Sequence, residues 1–367
     1  MRPFVMERWQ SHYENEVAFN LSESGVHPLT LGELLELGGA ADAALEIPLG
    51  YGQSNGTAVL RERIAGLYDA AGPEHVVVTN GSAEANFVVA WRLVEPGDRV
   101  AVLTPTYMQL HGLAESLGAG IREVPLREEA DWQPDPDEVA AAVDERTRLV
   151  VVTNPQNPTG VRLTDASVRA VLEAAARVGA CVLADVVYAG AETDDVRTPS
   201  LFGRYERVVA TGSLSKAYGL PGLRIGWVIA PAPLTEELWA RKDYTTISPG
   251  HLTDTLAALA LSDRVRPRII ARTRDLIRRN LQLVRDWIDD VGPFAQPQHE
   301  AGAVCFPRYD LPIESLDLAE RLRVEQDVLI VPGAHFGMGP YVRIGFGIDR
   351  ATLEGALDRV GALVRSI

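Results

Sequence analysis

Lys216 stands in the run 211–227, TGSLSKAYGLPGLRIGW, among small polar residues. The only other lysine of the chain is Lys242; arginine fills the remaining strongly basic positions. A primary amine can form an imine with an aldehyde and a guanidinium cannot, so Lys216 is a candidate covalent group. Asp185 closes the apolar run 181–184, where an unpaired carboxylate is costly, and Tyr188 follows three positions on. Asn157 lies in the turn-forming run NPQNPTG, residues 154–160, and Tyr107 follows Pro105. Ser82 and Ala83 come directly after the Asn80-Gly81 turn. Ser213 and Ser215 precede the lysine, Arg224 lies eight positions beyond it, and Arg343 interrupts the otherwise apolar run YVRIG. Singly, each has an ordinary reading: a turn lysine, a capping aspartate, an asparagine turn, a packed tyrosine, an edge arginine.

These residues collect where elements end. Apolar runs at 76–79, 100–103, 149–153, 181–184 and 208–210 alternate with helical patterns such as 111–117, 164–178 and one after Glu84 that runs to about Leu93. Continuous apolar strands at crossover spacing predict the α/β class, a three-layer, mainly parallel sheet covered by helices on both faces. Ligands of such sheets bind beyond the carboxyl ends of the strands, where the polar and turn-forming residues above fall. The pattern changes after about Pro249. Helices over 251–261 and 264–291, with the stop signal Gly292-Pro293, lead to short strands at 304–306, 328–331 and 341–347. Helices over 317–326 and from Leu353 complete a smaller α+β domain. The chain divides into an N-terminal segment, 1–45, contributing to the site and to the small domain; a large domain, 46–250; and a small domain, 251–367, with its interdomain helix. Residues 1–27 show no regular pattern. Ser22 to His27 reads as a surface loop, or as a cover over the site with His27 reaching in as an acid or base.

Composition narrows the function. A formal net charge of −15 argues against nucleic acid as a partner. No run has the length of a membrane span, and residues 1–9 lack the apolar core of a secretion signal. Cys181 and Cys305 build no disulfide framework, so a cytoplasmic location is expected. Seven histidines without ligand spacing predict no metal.

The strand-end residues answer to the needs of a pyridoxal 5′-phosphate enzyme. Such an enzyme needs a lysine, an acid against the pyridine nitrogen, an aromatic face, a phosphate cage and an arginine for the substrate carboxylate. Asn-Pro-x-Asn-Pro-Thr-Gly at 154–160, Asp-x-x-Tyr at 185–188 and Ser-x-Ser-Lys followed by Arg224 resemble the fold-type-I, class I and II aminotransferase family over nearly the whole chain. The resemblance implies Lys216 as the imine-forming lysine, Asp185 as the pyridinium partner, and Asn157 and Tyr188 at the phenolate oxygen. It implies Tyr107 as the stacking ring, and Ser82, Ala83, Ser213, Ser215 and Arg224 around the phosphate. Arg343 would clamp the carboxylate of an amino-acid substrate, with Gly25 beside it. Tyr51 matches a tyrosine that reaches the phosphate of a neighbouring subunit, which implies a homodimer with shared sites. The segment 24–27 and the block 212–226 are most similar to family members of antibiotic biosynthesis, those that cyclise a hydroxylated arginine and those that process cysteine-derived groups. The expected activity is aminotransferase-like chemistry on an unusual L-amino acid. The alternative is elimination or replacement, as in a C–S lyase or cyclase, or decarboxylating deamination of a cysteine conjugate or arginine derivative.

Overall fold

Seven strands form the main sheet, in the order Val76–Thr79, Gly226–Ile229, Val208–Ser213, Cys181–Asp185, Thr147–Thr153, Arg99–Thr104, Gly120–Pro125. Gly226–Ile229 runs antiparallel to both neighbours, and the remaining pairings are parallel. The computed structural model describes residues 3–367; Met1 and Arg2 lie outside the described residues. The central strands read as unbroken apolar runs because helices cover both faces: Val208–Ser213 and Cys181–Asp185 are buried at every position. The edge strand Gly120–Pro125 is different. At the sheet edge Gly120, Arg122 and Glu123 are exposed, so polar residues interrupt its apolar ones, and the run-based reading passes over it.

The N-terminal stretch corrects the expectation of an irregular, surface-lying segment. Val5–Tyr13 is a helix that buries only Met6 and Gln10, too sparse a stripe to show as a period. Phe19–Asn20 then pairs in parallel with Val328–Leu329. Leu21, Ser22, Ser24, Gly25 and Val26 are buried, a strap beneath the surface and not a loop upon it. Thr30 and Glu33 close a capping box on the helix Leu31–Gly38, as the spacing of hydroxyl and carboxylate predicts.

The helix Arg266–Val291 ties the two ends of the site together. Its 26 residues present Ile269, Thr273, Ile277, Asn280, Leu281, Val284 and Ile288 to the core at helical spacing. Thr273 donates to the Ala217 carbonyl at 2.9 Å, next to the lysine. Asn280 donates to the carbonyls of Phe346 and Ile348 at 2.7 and 2.8 Å, just beyond the strand Val342–Gly345 that carries Arg343. That strand lies between Val331–Pro332 and Val304–Cys305 in a three-stranded antiparallel sheet.

Candidate active site

A cavity beyond the strand ends is lined by Ser82, Ala83, Tyr107, Asn157, Asp185, Tyr188, Lys216 and Arg343, residues from six separate stretches of chain. Asp185 ends its strand 6% exposed. Its carboxylate accepts from Asn86 Nδ2 at 3.1 Å and from the Val187 N–H at 3.2 Å, and Asn86 in turn accepts from the Thr211 hydroxyl at 2.8 Å. Burial raises the Asp185 pKa, and these donors and Lys216 only partly oppose it. A buried carboxylate so held invites a cationic N–H partner from a ligand.

Lys216 lies on the loop after the strand Val208–Ser213 and donates to Glu23 Oε1 at 2.9 Å. The same oxygen accepts from the Ser24 and Gly25 N–H groups, each at 2.9 Å. Lys216 and these hydrogen bonds outweigh burial and lower the Glu23 pKa to about 2. Burial pulls Lys216 down, but Glu23 and Tyr188 more than offset it, and its pKa lies above the ordinary lysine value. Gly25 packs against this loop: a Cβ there would sit 3.1 Å from the Ser215 carbonyl.

Beside the lysine the backbone makes an anion cradle. The helix Gly81–Leu93 begins at the sheet rim, with Gly81 at φ +78°. A Cβ on Gly81 would come within 2.5 Å of the Arg224 guanidinium, and one on Gly226 within 2.5 Å of the Ser82 nitrogen. Both glycines let the strand carrying Gly226, and Arg224 just before it, close on the helix N-terminus. An arginine over the first turn of a helix, with free N–H groups and the buried Ser213 nearby, is a phosphate receptor in type and place.

At the far end Arg343 is 1% exposed. It donates to the Ser22 carbonyl at 2.5 Å and to Asn157 Oδ1 at 3.1 Å, and contacts Met6 Sδ at 3.6 Å. It has no salt bridge among the described residues, and its Nε has no hydrogen-bond partner. Burial lowers its pKa. Tyr188 is buried and shares a hydrogen bond with Ser24. Tyr107 donates its hydroxyl to Glu7 Oε1 at 2.8 Å.

The fold thus brings together Ser82, Ala83, Tyr107, Asn157, Asp185, Tyr188, Lys216 and Arg343, with Ser213, Ser215, Gly25 and Arg224 packed around them. It does not bring in His27. That residue is exposed and stands outside the cavity lining, with its backbone N–H tied to the Gly347 carbonyl at 2.5 Å. Tyr51 is also outside, 92% exposed. The sequence reading missed Glu23, Asn86, Thr211, Glu7 and Glu14. None carries a motif, and Glu23 meets Lys216 across 193 positions. The one available signal was Asn86, an amide on an otherwise apolar helix face.

Fold and site together put a primary amine, a buried carboxylate and a helix N-terminus at the rim of a mainly parallel sheet. The class I and II aminotransferase family matches residues 43–360, and the chain belongs to that family. It is 37% identical over 363 residues to a capreomycidine synthase of Streptomyces vinaceus, covering 97% of this chain and 92% of that one. Among solved structures, a pyridoxal-phosphate-dependent aminotransferase of Streptococcus suis superposes with a TM-score of 0.93 at 32% identity, covering 100% of this chain and 98% of its own. The pyridoxal-phosphate-dependent cyclase OrfR superposes at 0.90 with 29% identity, covering 100% and 98%. The coenzyme of this family is pyridoxal 5′-phosphate. The residues present fit it: a terminal amine, a buried carboxylate and an anion cradle share one cavity rim, and the glycines of the cradle leave no Cβ in the way. Among the described residues no group of His, Cys, Asp and Glu could hold a metal, and no helix is long and apolar enough to cross a membrane.

Proposed function

We propose that the protein is an aminotransferase-like enzyme acting on an uncommon L-amino acid in specialised, antibiotic-type biosynthesis. Arg343 carries the reading. A guanidinium buried without a counter-ion is unfavourable unless a carboxylate arrives to match it, and it opens into the cavity that holds Lys216 and Asp185. The whole-length likeness to a capreomycidine synthase and to a cyclase supports the specialised-metabolism part.

In this reading Asp185, held by Asn86 and Thr211, would keep a proton on the pyridine nitrogen. Arg224, Ser213, Ser215, Ser82 and the Ala83 N–H would hold the phosphate, and Tyr107, Asn157 and Tyr188 would hold the ring. The bound coenzyme supplies an aldehyde for the amino group and an electron sink for the adjacent carbon. Arg343 grips the carboxylate, with Gly25 alongside, and so sets the direction of the Cα–H bond. Lys216 removes that proton at Nζ as general base, and the ammonium it becomes finds Glu23 within hydrogen-bond reach. Glu23, a carboxylate beside Lys216, is a second proton acceptor next to the amine, which favours elimination or cyclisation as the second reading.

Purified holoenzyme mixed with candidate amino acids should change the coenzyme absorption band, and Lys216→Ala should abolish the imine band of the resting enzyme. Absence of that band from the wild type would end the proposal. A keto acid formed only with an amino acceptor marks transamination. Pyruvate, thiol, aldehyde or carbon dioxide without an acceptor marks the second reading.

The exposure of Tyr51, with Leu45 and Leu49 at 84% and 88%, supports a homodimer in which Tyr51 serves the partner's phosphate. Light scattering should report twice 39.8 kDa; a monomer at working concentration would remove this part.

A further inference from the structure

The wall opposite the coenzyme cradle is acidic beyond what that chemistry uses. The N-terminal helix Val5–Tyr13 and its last turn direct Glu7 and Glu14 into the cavity, and the strap adds Glu23. Against these, and against Asp185, the lining offers only two cations, Lys216 and Arg343. Both are spoken for once an amino acid binds: Arg343 by the substrate carboxylate, Lys216 by the coenzyme and the proton it moves. Glu14 receives no hydrogen bond or salt bridge to its carboxylate from the described residues. Burial raises its pKa, and the charges of Glu23 and Glu7 raise it further. Glu7 accepts one bond, from the Tyr107 hydroxyl. Glu7 and Glu14 lie in this cavity without a cation of their own, and Glu23 joins them once Lys216 is engaged by the coenzyme and the substrate; a cation placed among them relieves the repulsion.

Arg343 is the independent sign that a ligand belongs there. It is 1% exposed, lines the same cavity, and its Nε lacks a partner. Met6 Sδ lies 3.6 Å from that guanidinium, so the helix that bears the acids also packs on the carboxylate receptor. Glu7 and Glu14 stand seven residues apart, two turns of helix or roughly 10 Å along its axis, on the face that meets the cavity. A ligand with its carboxylate on Arg343 and its amino group at Lys216 shares its cavity with Glu7 and Glu14 of this helix.

We propose that Glu7, Glu14 and Glu23 select an amino acid whose side chain ends in a cation, a guanidinium or an ammonium. The inference rests on the functional reading above and deepens it by naming the substrate class. Neutral cysteine conjugates, which the same reading would admit, leave the three carboxylates unmatched and are disfavoured.

L-Arginine and L-citrulline test this directly, being nearly isosteric and differing in side-chain charge; L-lysine separates guanidinium from ammonium. Calorimetric titration of the holoenzyme should give a dissociation constant at least about tenfold lower for arginine or lysine than for citrulline. The ratio should fall toward one in Glu14→Gln and in Glu7→Gln, with citrulline affinity little changed, and should shrink as salt is raised. Should a variant fail to fold, the wild-type ratio alone decides. Equal or tighter binding of citrulline, or no binding of any of the three by protein that shows the coenzyme band, overturns the proposal and leaves the coenzyme reading standing. A missing band would instead overturn that reading.

Discussion

Glu23 Oε1 accepts a hydrogen bond of 2.9 Å from Lys216 Nζ, joining the N-terminal strap to the loop of the coenzyme lysine across 193 positions. Both side chains keep some exposure, 26% for the lysine and 45% for the glutamate, so the pair is reachable from the cavity. The pair sets the charge state of the amine before any ligand binds, and it anchors the strap that completes the Arg343 end through the Ser22 carbonyl.

The pair predicts a pH signature in coenzyme-free protein. Glu23 titrates near 2 in place of 4.5, so its stabilisation is present above its unfolded value and lost as pH falls from there toward 2. Lys216 is raised above 10.5, so its share persists below that value and is lost only at higher pH. Glu23→Gln should therefore melt lower than wild type between about pH 5 and about pH 10, with the gap closing under stronger acid. A gap in Tm that ignores pH would show that the pair does not stabilise the fold.

Arg343 predicts a separation of stability from binding. Arg343→Met relieves the desolvation of a buried guanidinium but loses its bonds to the Ser22 carbonyl and Asn157, so Tm should change little. Amino-acid affinity should fall at least about 30-fold, the low end of a lost buried charge pair. Retained affinity by spectral titration would remove Arg343 from the substrate site.

Asn86 is predicted to be a positioning residue. Asn86→Asp sets a second carboxylate against Asp185, with the Thr211 hydroxyl bond retained. Like charges at that distance force one of them to take a proton, and Asp185 then loses its grip on a protonated ring nitrogen. Coenzyme affinity, measured by fluorescence, should drop about tenfold or more, and less in Thr211→Val. Unchanged affinity in Asn86→Asp would argue that Asp185 does not bind the ring.

The cradle predicts a steric contrast between two nearby glycines. A Cβ on Gly226 would run into Gly81 and the Ser82 nitrogen, backbone atoms that cannot swing away, whereas Gly222 has nothing within 4 Å. Gly226→Ala should lose about 1–3 kcal/mol of stability or more, and Gly222→Ala almost none. Equal melting temperatures for the two variants would mean that the helix start is not clamped by that strand.

The main sheet was legible because its chemistry is local. Unbroken apolar runs marked the buried strands, and Asp185, Asn157 and Lys216 sit within a few residues of a strand end, where chain geometry leaves little freedom. The family resemblance carried Arg343 as well, although nothing near it in the chain distinguishes a clamp from an edge arginine. The edge strand Gly120–Pro125 escaped because exposed Gly120, Arg122 and Glu123 break the continuous apolar run used to find the buried strands.

The sequence by itself determined the residue types of the coenzyme site and the rim on which they stand, since strand, turn and side chain are joined by covalent neighbours. Only the tertiary structure decided which carboxylates share that rim. Glu7, Glu14 and Glu23 reach the cavity through a helix of weak periodicity and a strap held by a distant strand, and Asn86 reaches Asp185 from another element across the sheet edge. Through-space electrostatics depends on such packing, and no local pattern records it.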